Sequence, residues 1–206
     1  MFDNYDGFKG ALAGCYSDLL KSDLYGTRLT MTDIEGLACL WSLDVGNSNY
    51  TDGMLTSAYF REHNYSHDLT ETAIRSIYGA FYNTILEANM VIKACPEHGQ
   101  NIPEEDSRAV VEGEAYAIRA LCHFDLLRLF GQLPVNATTQ VELPYSEVTS
   151  IEDPLVYYSF DEFVAKLESD LNKAESLMKD NDPVFQYTMD QLKNIGAEGY
   201  EDVSVD

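Results

Sequence analysis

The stretch that decides the fold runs over Gly113–Val135 and reads GEAYAIRALCHFDLLRLFGQLPV. Apolar side chains occupy nearly every face of a helix formed by these residues, and such a helix packs at the centre of a fold. Pro103 fits the first helical position upstream, and Gly131 fits the position just after the last turn. Pro134 prevents the helix from continuing. The pattern therefore predicts a central helix over about 103–131.

Two charged residues, Arg119 and Asp125, stand inside this apolar helix. A buried charge is costly unless it is paired and hydrogen-bonded, so we expect both side chains to bond to neighbouring helix ends or loops. A role in the fold is the favoured interpretation, and contact with a ligand is the minor alternative. Phe130 and Gly131, with Pro134 after them, indicate the end of the helix.

Three further helices are predicted because apolar residues recur at steps of three and four. They cover about 4–21, 68–95 and 159–177. Pro96 and Gly99 are predicted to end the second of them. No strand alternation of useful length is present. The sequence therefore predicts an all-α fold with short helix–helix contacts.

Two of these helices begin with a capping-box pattern, in which two side chains bond each other's backbone N–H groups. In the first, Asp68 is the predicted N-cap and Glu71 the residue three positions later. In the second, Ser159 is the predicted N-cap and Glu162 completes the box. Both patterns fix the expected start of a helix to one residue.

Two long connections and an acidic tail separate or follow the helices. The first connection, 23–67, is rich in glycine and polar residues, and a short helical piece is expected over 32–42. A connection of this length inside a compact domain is usually functional or disordered. The second connection, 134–158, contains three prolines. The tail, 180–206, has a net charge of 1 − 7 = −6 and is predicted to form one short helix before its end frays.

The composition describes a folded and strongly acidic chain. Its 206 residues suit one compact domain. Lys and Arg number 13 and Asp and Glu number 35, so the net charge is 13 − 35 = −22. This excess argues against nucleic acid and against anionic lipid headgroups as partners, because both need an array of cations. The apolar fraction of 45% is that of a folded protein, so the acidity does not indicate disorder.

The cysteines and the N-terminal residues limit which classes of protein remain, among disulfide-rich, metal-binding, membrane-spanning and exported proteins. The four cysteines have neither a CxxC pair nor a metal-ligand spacing; they are Cys15, Cys39, Cys95 and Cys122. Buried thiols are the favoured interpretation, with one disulfide as the alternative. No run of about 18 apolar residues predicts a transmembrane helix. The first residues lack a signal peptide, so the protein is either cytosolic or given without a removed export signal.

Two stretches together resemble a known family. One is Ile77–Ile92, which reads IYGAFYNTILEANMVI. The other, Gly113–Val135, contains the pattern E-A-x-x-x-R-A-x-x-x-F-D-L-x-R-x-F-G-x-x-P, of which the residues that we assign to the structural motif are Arg119, Phe124, Asp125, Arg128, Phe130, Gly131 and Pro134. The pattern resembles the SusD/RagB family, the surface-exposed, lipid-anchored nutrient-binding proteins of Bacteroidetes.

The resemblance implies a fold and a function. The fold would be an α-α superhelix of tetratricopeptide-like helix pairs with long irregular connections over 1–178, followed by the acidic tail, 179–206. The function would be glycan capture at the outer membrane, with a TonB-dependent transporter as the partner beneath the protein. A lipid anchor is expected only in a full-length precursor, because Cys15 lies inside a predicted helix. Family members are longer, so a fragment or a shortened relative is expected.

Glycan binding needs flat aromatic faces and planar polar groups. Residues of these types in the first connection are Trp41, Asn47, Asn49, Tyr50, Asp52, Tyr59 and Arg61. For Trp41 the alternative to glycan contact is a buried position in the core. For 47–52 the alternative is a solvated turn. Tyr145, Tyr157 and Tyr158 are weaker candidates near the second connection.

Metal and catalytic sites have weaker support. His63 and His67 stand four apart, but no HExxH pattern accompanies them. The segment 47–53 resembles a calcium loop only faintly, because its glycine is out of register. No nucleophile motif or phosphate loop is present, and carboxylate abundance alone does not define a glycosidase pair. We therefore predict no catalytic residue, no metal and no cofactor.

The sequence favours one function and leaves two others open. The leading hypothesis is a non-catalytic surface protein, or its N-terminal part, that binds oligosaccharide or polysaccharide for a TonB-dependent transporter. The alternative is a helix-repeat scaffold that binds only protein and has no sugar site. A hydrolase is the third hypothesis and would require a carboxylate pair in a pocket.

Overall fold

The structure is a computed structural model that describes residues 1–29, 52–131, 140–195 and 197. Helices dominate this part of the chain. They are α1 (Tyr5–Leu19), α2 (Asp52–Arg61), α3 (Asp68–His98), α4 (Glu105–Phe130), α5 (Phe160–Met178), α6 (Pro183–Gln186) and α7 (Met189–Lys193). Two strands, β1 (Gln140–Pro144) and β2 (Tyr157–Ser159), follow α4 in the sequence. The predicted all-α class is confirmed.

The chain divides into two compact units, one of 1–14 with 85–206 and the other of 15–84. The core of the first unit includes Phe8, Leu12, Ile85, Val91, Ile118, Leu126, Leu143 and Phe163. The core of the second unit includes Leu19, Leu24, Leu29, Phe60, Ile77 and Phe81. The domain boundary drawn from the sequence, 1–178 with a tail over 179–206, stays a prediction.

The start of α3 differs from the predicted capping box. The helix does begin at Asp68, but the carboxylate of Glu71 bonds to Arg75 instead of to a backbone N–H group. The cap is His67, whose Nδ1 accepts from the N–H of Leu69 at 3.2 Å. The carbonyl of His67 accepts the first helical bond, from the N–H of Glu71. An unprotonated ring nitrogen thus serves where a carboxylate was expected.

The ends of α3 and α4 correct the predictions for Pro96 and Pro103 and agree with the one for Gly131. Pro96 lies inside the last turn of α3, which ends at His98 before Gly99. Pro103 precedes α4 by two residues, and Glu104 is the N-cap. Gly131 follows α4 as predicted, but its φ of −81° is not left-handed. Its need for glycine is steric, because a Cβ there would collide with the carbonyl oxygen of Leu127.

α4 is central but is not buried on all sides. Ten of its residues are buried, which agrees with its predicted place in the core. Leu121 and Phe124, however, are 41% and 50% exposed. These two positions lie three apart and therefore share one face of the helix. The apolar pattern predicted the central position of α4 but not that this face is open.

The second connection contains a small sheet that the sequence did not predict. β1 and β2 pair antiparallel, with Gln140 opposite Ser159 and Pro144 opposite Tyr157. Strands of five and three residues are too short to give a clear alternation. β2 leads directly into α5, where Ser159 and Glu162 form the predicted capping box. The N–H of Glu162 donates to Oγ of Ser159, and the N–H of Ser159 donates to Oε2 of Glu162.

The tail contains two short helices instead of the single predicted one. The side chain of Asp182 caps α6 by accepting from the N–H of Val184. Thr188 and Gln191 form a capping box at α7. The two N-caps stand six positions apart, and each starts its own helix, so the segment forms two short helices. The helical piece expected over 32–42 and the fraying end lie outside the described residues.

Three cysteines fall in the described residues. Cys15, Cys95 and Cys122 are buried thiols, as predicted, and Cys39 lies outside the described part. Burial raises the pKa of the Cys95 thiol to about 12. Across the described ranges, no helix combines the length and the apolar character that crossing a bilayer requires.

Candidate functional site

The sequence motif of α4 forms the centre of a buried polar network. The guanidinium of Arg119 donates twice to the carboxylate of Asp170 on α5, at 2.7 Å from Nε and 2.6 Å from Nη2. Its Nη1 donates to Oδ1 of Asn89 on α3 at 2.8 Å. The hydrogen-bond partners of Arg119 are therefore side chains inside two helices, and the expected loop contact is the ion pair with Glu147, whose Oε1 lies 3.8 Å from Nη2. The two-point contact with Asp170 fixes direction as well as distance.

The same network holds the segment that follows β1. Nδ2 of Asn89 donates to the carbonyl oxygens of Ser146 and Val148, at 3.1 and 2.9 Å. The hydroxyl of Tyr145 donates to Oδ2 of Asp170 at 2.5 Å. Tyr145 is buried, so it is not the exposed sugar platform that was considered for it. Burial and the neighbouring Asp170 raise the pKa of its hydroxyl.

His123 joins α4 to this segment from a second side. Its Nε2 accepts from the backbone N–H of Ser146 at 2.9 Å, so that nitrogen carries no proton. Its Nδ1 therefore donates to the carbonyl oxygen of Arg119, also at 2.9 Å. The ring is stacked on Tyr145 with centroids 3.8 Å apart, and burial lowers its pKa to about 3. The imidazole is neutral in the folded protein.

The remaining motif residues have mixed positions. Asp125 is buried, and its Oδ1 lies 2.9 Å from Nη2 of Arg128, one turn along α4. Phe124 is half exposed. Phe130 ends α4 and is partly buried, and Pro134 lies outside the described residues. The motif thus contributes a buried charged interior and one exposed apolar position.

Most of the predicted glycan contacts cannot be placed. Trp41, Asn47, Asn49 and Tyr50 lie outside the described residues. Asp52 is the first residue of α2, but its side chain is not among those described. The two that remain, Tyr59 and Arg61, fall in the last turn of α2.

Tyr59 and Arg61 are both partly buried near the end of α2. Positions two apart on a helix point about 200° away from each other. The structure therefore does not bring these two side chains onto one face. Arg61 forms no ion pair with any described carboxylate, so its guanidinium is available on its own side of the helix.

Aromatic side chains gather at the connection between α2 and α3. The ring of Tyr59 is stacked on His67, with centroids 3.8 Å apart and planes 20° apart. Nδ1 of His63 and the hydroxyl of Tyr65 lie 2.8 Å apart. Tyr65 also lies against the buried Phe60, at 6.3 Å between centroids. We call these five residues the aromatic turn.

Part of the aromatic turn faces solvent. His63 is exposed and Tyr65 is 48% exposed, whereas Phe60 is buried. The sequence pattern suggested only a metal-ligand role for His63 and His67 and no role for Tyr65. The signal was present as five aromatic or imidazole rings in the run YFREHNYSH, just before the helix predicted from residue 68. Among the described residues, no group of three metal-ligating side chains accompanies these two histidines.

The backbone of the aromatic turn is set by how α2 ends. His63 has φ of 55°, the left-handed region in which glycine is usual. The N–H of Asn64 donates to the carbonyl of Tyr59, and that of His63 donates to Phe60. This is the Schellman pattern of helix ends. The positive φ therefore terminates α2, and it places an imidazole where no side chain is usually found.

Comparison with known proteins identifies the family. A SusD-like family model, described as starch-binding and associating with the outer membrane, matches residues 36–190. That match covers more than half of the chain. The chain belongs to the SusD-like family. The resemblance found in the motif around Arg119 is thereby confirmed.

One curated relative and one solved structure show how much of a longer SusD-like protein this chain matches. It is 40% identical over 67 residues to the SusD-like protein P38 of Formosa agariphila, a match over 32% of this chain and 12% of that protein. The crystal structure of a SusD homolog from Bacteroides thetaiotaomicron matches with a TM-score of 0.60 and 21% identity. This structural match covers 85% of this chain and 30% of the solved chain. At 21% identity it is evidence for the fold alone. The chain thus spans well under half the length of these relatives.

Proposed function

We propose that this SusD-like chain is the helical part of a non-catalytic protein that binds glycan at the cell surface. It would hold oligosaccharide or polysaccharide for a TonB-dependent outer-membrane transporter, and a lipid anchor would attach the full-length protein. The family description, starch-binding and associating with the outer membrane, supports the general class. The ligand, the transporter and the anchor are our proposals for this chain.

The observation that carries the proposal is the aromatic turn. Its exposed Tyr65 presents a ring face and a hydroxyl, and sugars offer C–H faces together with hydroxyl groups. Its exposed His63 adds Nε2, which can donate or accept, whereas Nδ1 is bonded to the hydroxyl of Tyr65. The buried Phe60 and the stacked pair of Tyr59 and His67 hold the turn in place. The other predicted contacts remain candidates for glycan contact; they are Trp41, Asn47, Asn49, Tyr50, Asp52 and Arg61.

The test is retention of the protein in native gels that contain soluble polysaccharides, starch first. The wild type should be slowed by at least one polysaccharide, and Tyr65→Ala should weaken the retention about tenfold, or about 1.4 kcal/mol. Tyr16→Ala is the matched control, because Tyr16 is a tyrosine of similar exposure, 45%, in α1, and no sugar contact is predicted for it. No retention by any polysaccharide would refute glycan binding. Equal loss in both variants would refute the aromatic turn as the site.

A protein scaffold without a sugar site is the second candidate. The exposed Leu121 and Phe124 on α4 favour it, because apolar groups at a surface are suited to protein contact. A scaffold predicts co-purification with a membrane transporter and no change in melting temperature with any glycan. Glycan binding predicts a concentration-dependent rise in melting temperature. Release of new reducing ends would instead indicate a hydrolase.

A further inference from the structure

A pocket of about 240 Å³ lies beside the last two turns of α3. It is lined by Phe2, Met90, Lys93, Ala94, Glu97, His98 and Thr149. All seven belong to the compact unit of 1–14 and 85–206. The volume is below the roughly 300–1,000 Å³ of sites for drug-sized ligands, so the pocket suits a single small ring.

The polar side chains of this pocket have no partners within the protein. Lys93, Glu97, His98 and Thr149 form no side-chain hydrogen bond or ion pair with any described residue. Lys93 is exposed, and three of the six other lysines, Lys173, Lys179 and Lys193, likewise form no ion pair with a described carboxylate. Elsewhere, Lys9, Lys21 and Lys166 each lie within ion-pair distance of a carboxylate. The pocket therefore offers unused donors and acceptors around one space.

The floor of the pocket is apolar and fixed. Ala94 is buried, and Met90 and Phe2 are partly buried. The ring of Phe2 lies 4.8 Å from that of Phe8, and its carbonyl oxygen accepts from Nδ2 of Asn101 at 2.8 Å. An aromatic face beside unused polar groups is the combination that a sugar ring requires.

The buried network around Arg119 positions the opposite wall. Arg119 holds Asn89, which in turn donates to the carbonyl of Val148 at 2.9 Å. Thr149 is the next residue in the chain. Lys93 and Glu97 lie one and two turns beyond Asn89 on α3. Asn89 therefore connects the wall formed by α3 to the wall that carries Thr149. A site held in this way loses little freedom when a ligand binds.

We propose that this pocket is a second saccharide site, which binds one ring of an uncharged sugar. The inference rests on the proposed function and names a ligand contact apart from the aromatic turn. Lys93 donates, Glu97 accepts, and the hydroxyl of Thr149 does both, so the set matches the alternating hydroxyls of a neutral ring. Lys93 and Glu97 together carry no net charge, so the pocket does not attract an acidic sugar. The net charge of −22 on the chain also repels such a sugar.

The test is an amide NMR titration of the whole chain with glucose, galactose, mannose, xylose and rhamnose. Glycine serves as a zwitterionic probe and glucuronate as an anionic one. At least one neutral sugar should shift the amides of 93–98 and 149. The double variant Lys93→Met/Thr149→Val should weaken these shifts at least tenfold in apparent affinity. Lys173→Met is the matched control, an exposed lysine on α5 without an ion-pair partner.

The outcomes separate this site from the proposed function. The inference is overturned if none of the neutral sugars shifts these amides, if only glycine or glucuronate does, or if the double variant binds as the wild type does. Polysaccharide retention in gels that depends on Tyr65 would then leave the proposed function standing. A neutral-sugar response at 93–98 that is lost in the double variant supports the pocket, whichever result Tyr65→Ala gives.

Discussion

The guanidinium of Arg119 and the carboxylate of Asp170, 51 positions apart in the sequence, form a buried ion pair with two hydrogen bonds. Both side chains are only 6% exposed, and the pair joins α4 to α5. Asn89 attaches α3 to the same guanidinium. One side chain thus connects three helices, and the motif that identified the family has a structural role.

Replacing Arg119 with leucine should strongly destabilise the protein. The change leaves Asp170 buried without its counter-charge, and breaking a buried pair in this way costs about 3–5 kcal/mol. Urea unfolding followed by circular dichroism measures the loss. The free energy of unfolding of Arg119→Lys should lie between those of the wild type and the leucine variant, because an ammonium keeps the charge but cannot reproduce the two-point contact.

The matched control is Arg75→Ala. Arg75 pairs with Glu71 one turn away on the exposed surface of α3, at 2.6 Å. An exposed helical pair of this kind contributes about 0.3–0.5 kcal/mol. Equal losses in the Arg119 and Arg75 variants would show that the buried pair is not special to the fold.

Stability should fall as the pH drops below 6.5 because of His123. Its pKa is lowered by burial to about 3 in the folded state, against an ordinary value of 6.5. Between these values the unfolded chain binds the additional proton, so the contribution is fully present above pH 6.5 and is lost towards pH 3. Towards pH 5 the slope should approach about 1.4 kcal/mol per pH unit, still above the range where carboxyl groups titrate.

The comparison variant for this pH effect is His123→Gln. Unfolding curves at pH 7.0, 6.0 and 5.0 should show a clearly flatter dependence for the variant, although it is less stable at every pH. The physical reason is that glutamine takes up no proton when the chain unfolds. The same slope in both proteins would contradict a neutral, buried imidazole at this position.

Gly113→Ala should destabilise the contact between α4 and α5. A Cβ at Gly113 would lie 2.5 Å from Cγ of Met178 and 3.3 Å from the carbonyl oxygen of Ala174. Overpacking of this kind costs about 1–3 kcal/mol. Gly79→Ala is the control, because no described atom lies within 4 Å of a Cβ there. That change in α3 should stabilise by about 0.5–1 kcal/mol, and melting temperatures that move in the same direction would refute the close approach.

Two substitutions at His63 separate backbone strain from ligand contact. His63→Val should lower stability by about 1–2 kcal/mol, because a β-branched residue is poorly suited to a positive φ. His63→Gly should lower it much less, since glycine adopts this conformation readily. Both variants lack the imidazole, so under the proposed function both should bind polysaccharide more weakly in the native gel. Weak binding by the valine variant alone would show that only the shape of the turn matters.

The helices were predictable because their signals are local. Apolar spacing gave the positions of α1, α3, α4 and α5, and the box of Ser159 with Glu162 gave the start of α5 to the residue. The cap of α3 was missed because histidine is not a usual N-cap residue. β1 and β2 were missed because their pairing depends on residues about 15 positions apart, and each strand is too short to show its own period.

The candidate sites were less predictable, because they too depend on contacts that only folding creates. The run from Tyr59 to His67 showed its rings in the sequence, but the stacking of one ring on another depends on the turn between α2 and α3. The pocket beside Lys93 combines Phe2 with Thr149, which are far apart in the sequence. Spacing along the chain carries no information about such contacts.

By itself the sequence determined that this chain is helical, acidic and a relative of SusD-like proteins, because periodicity, charge and a motif within one helix are properties of neighbouring residues. Only the tertiary structure decided which partners neutralise Arg119, why His123 is uncharged, and which polar side chains are left without partners around a pocket. The physical reason is that a charge or a hydrogen-bonding group is satisfied by whatever lies nearby in space, and folding brings together residues that the sequence keeps 30 to 51 positions apart.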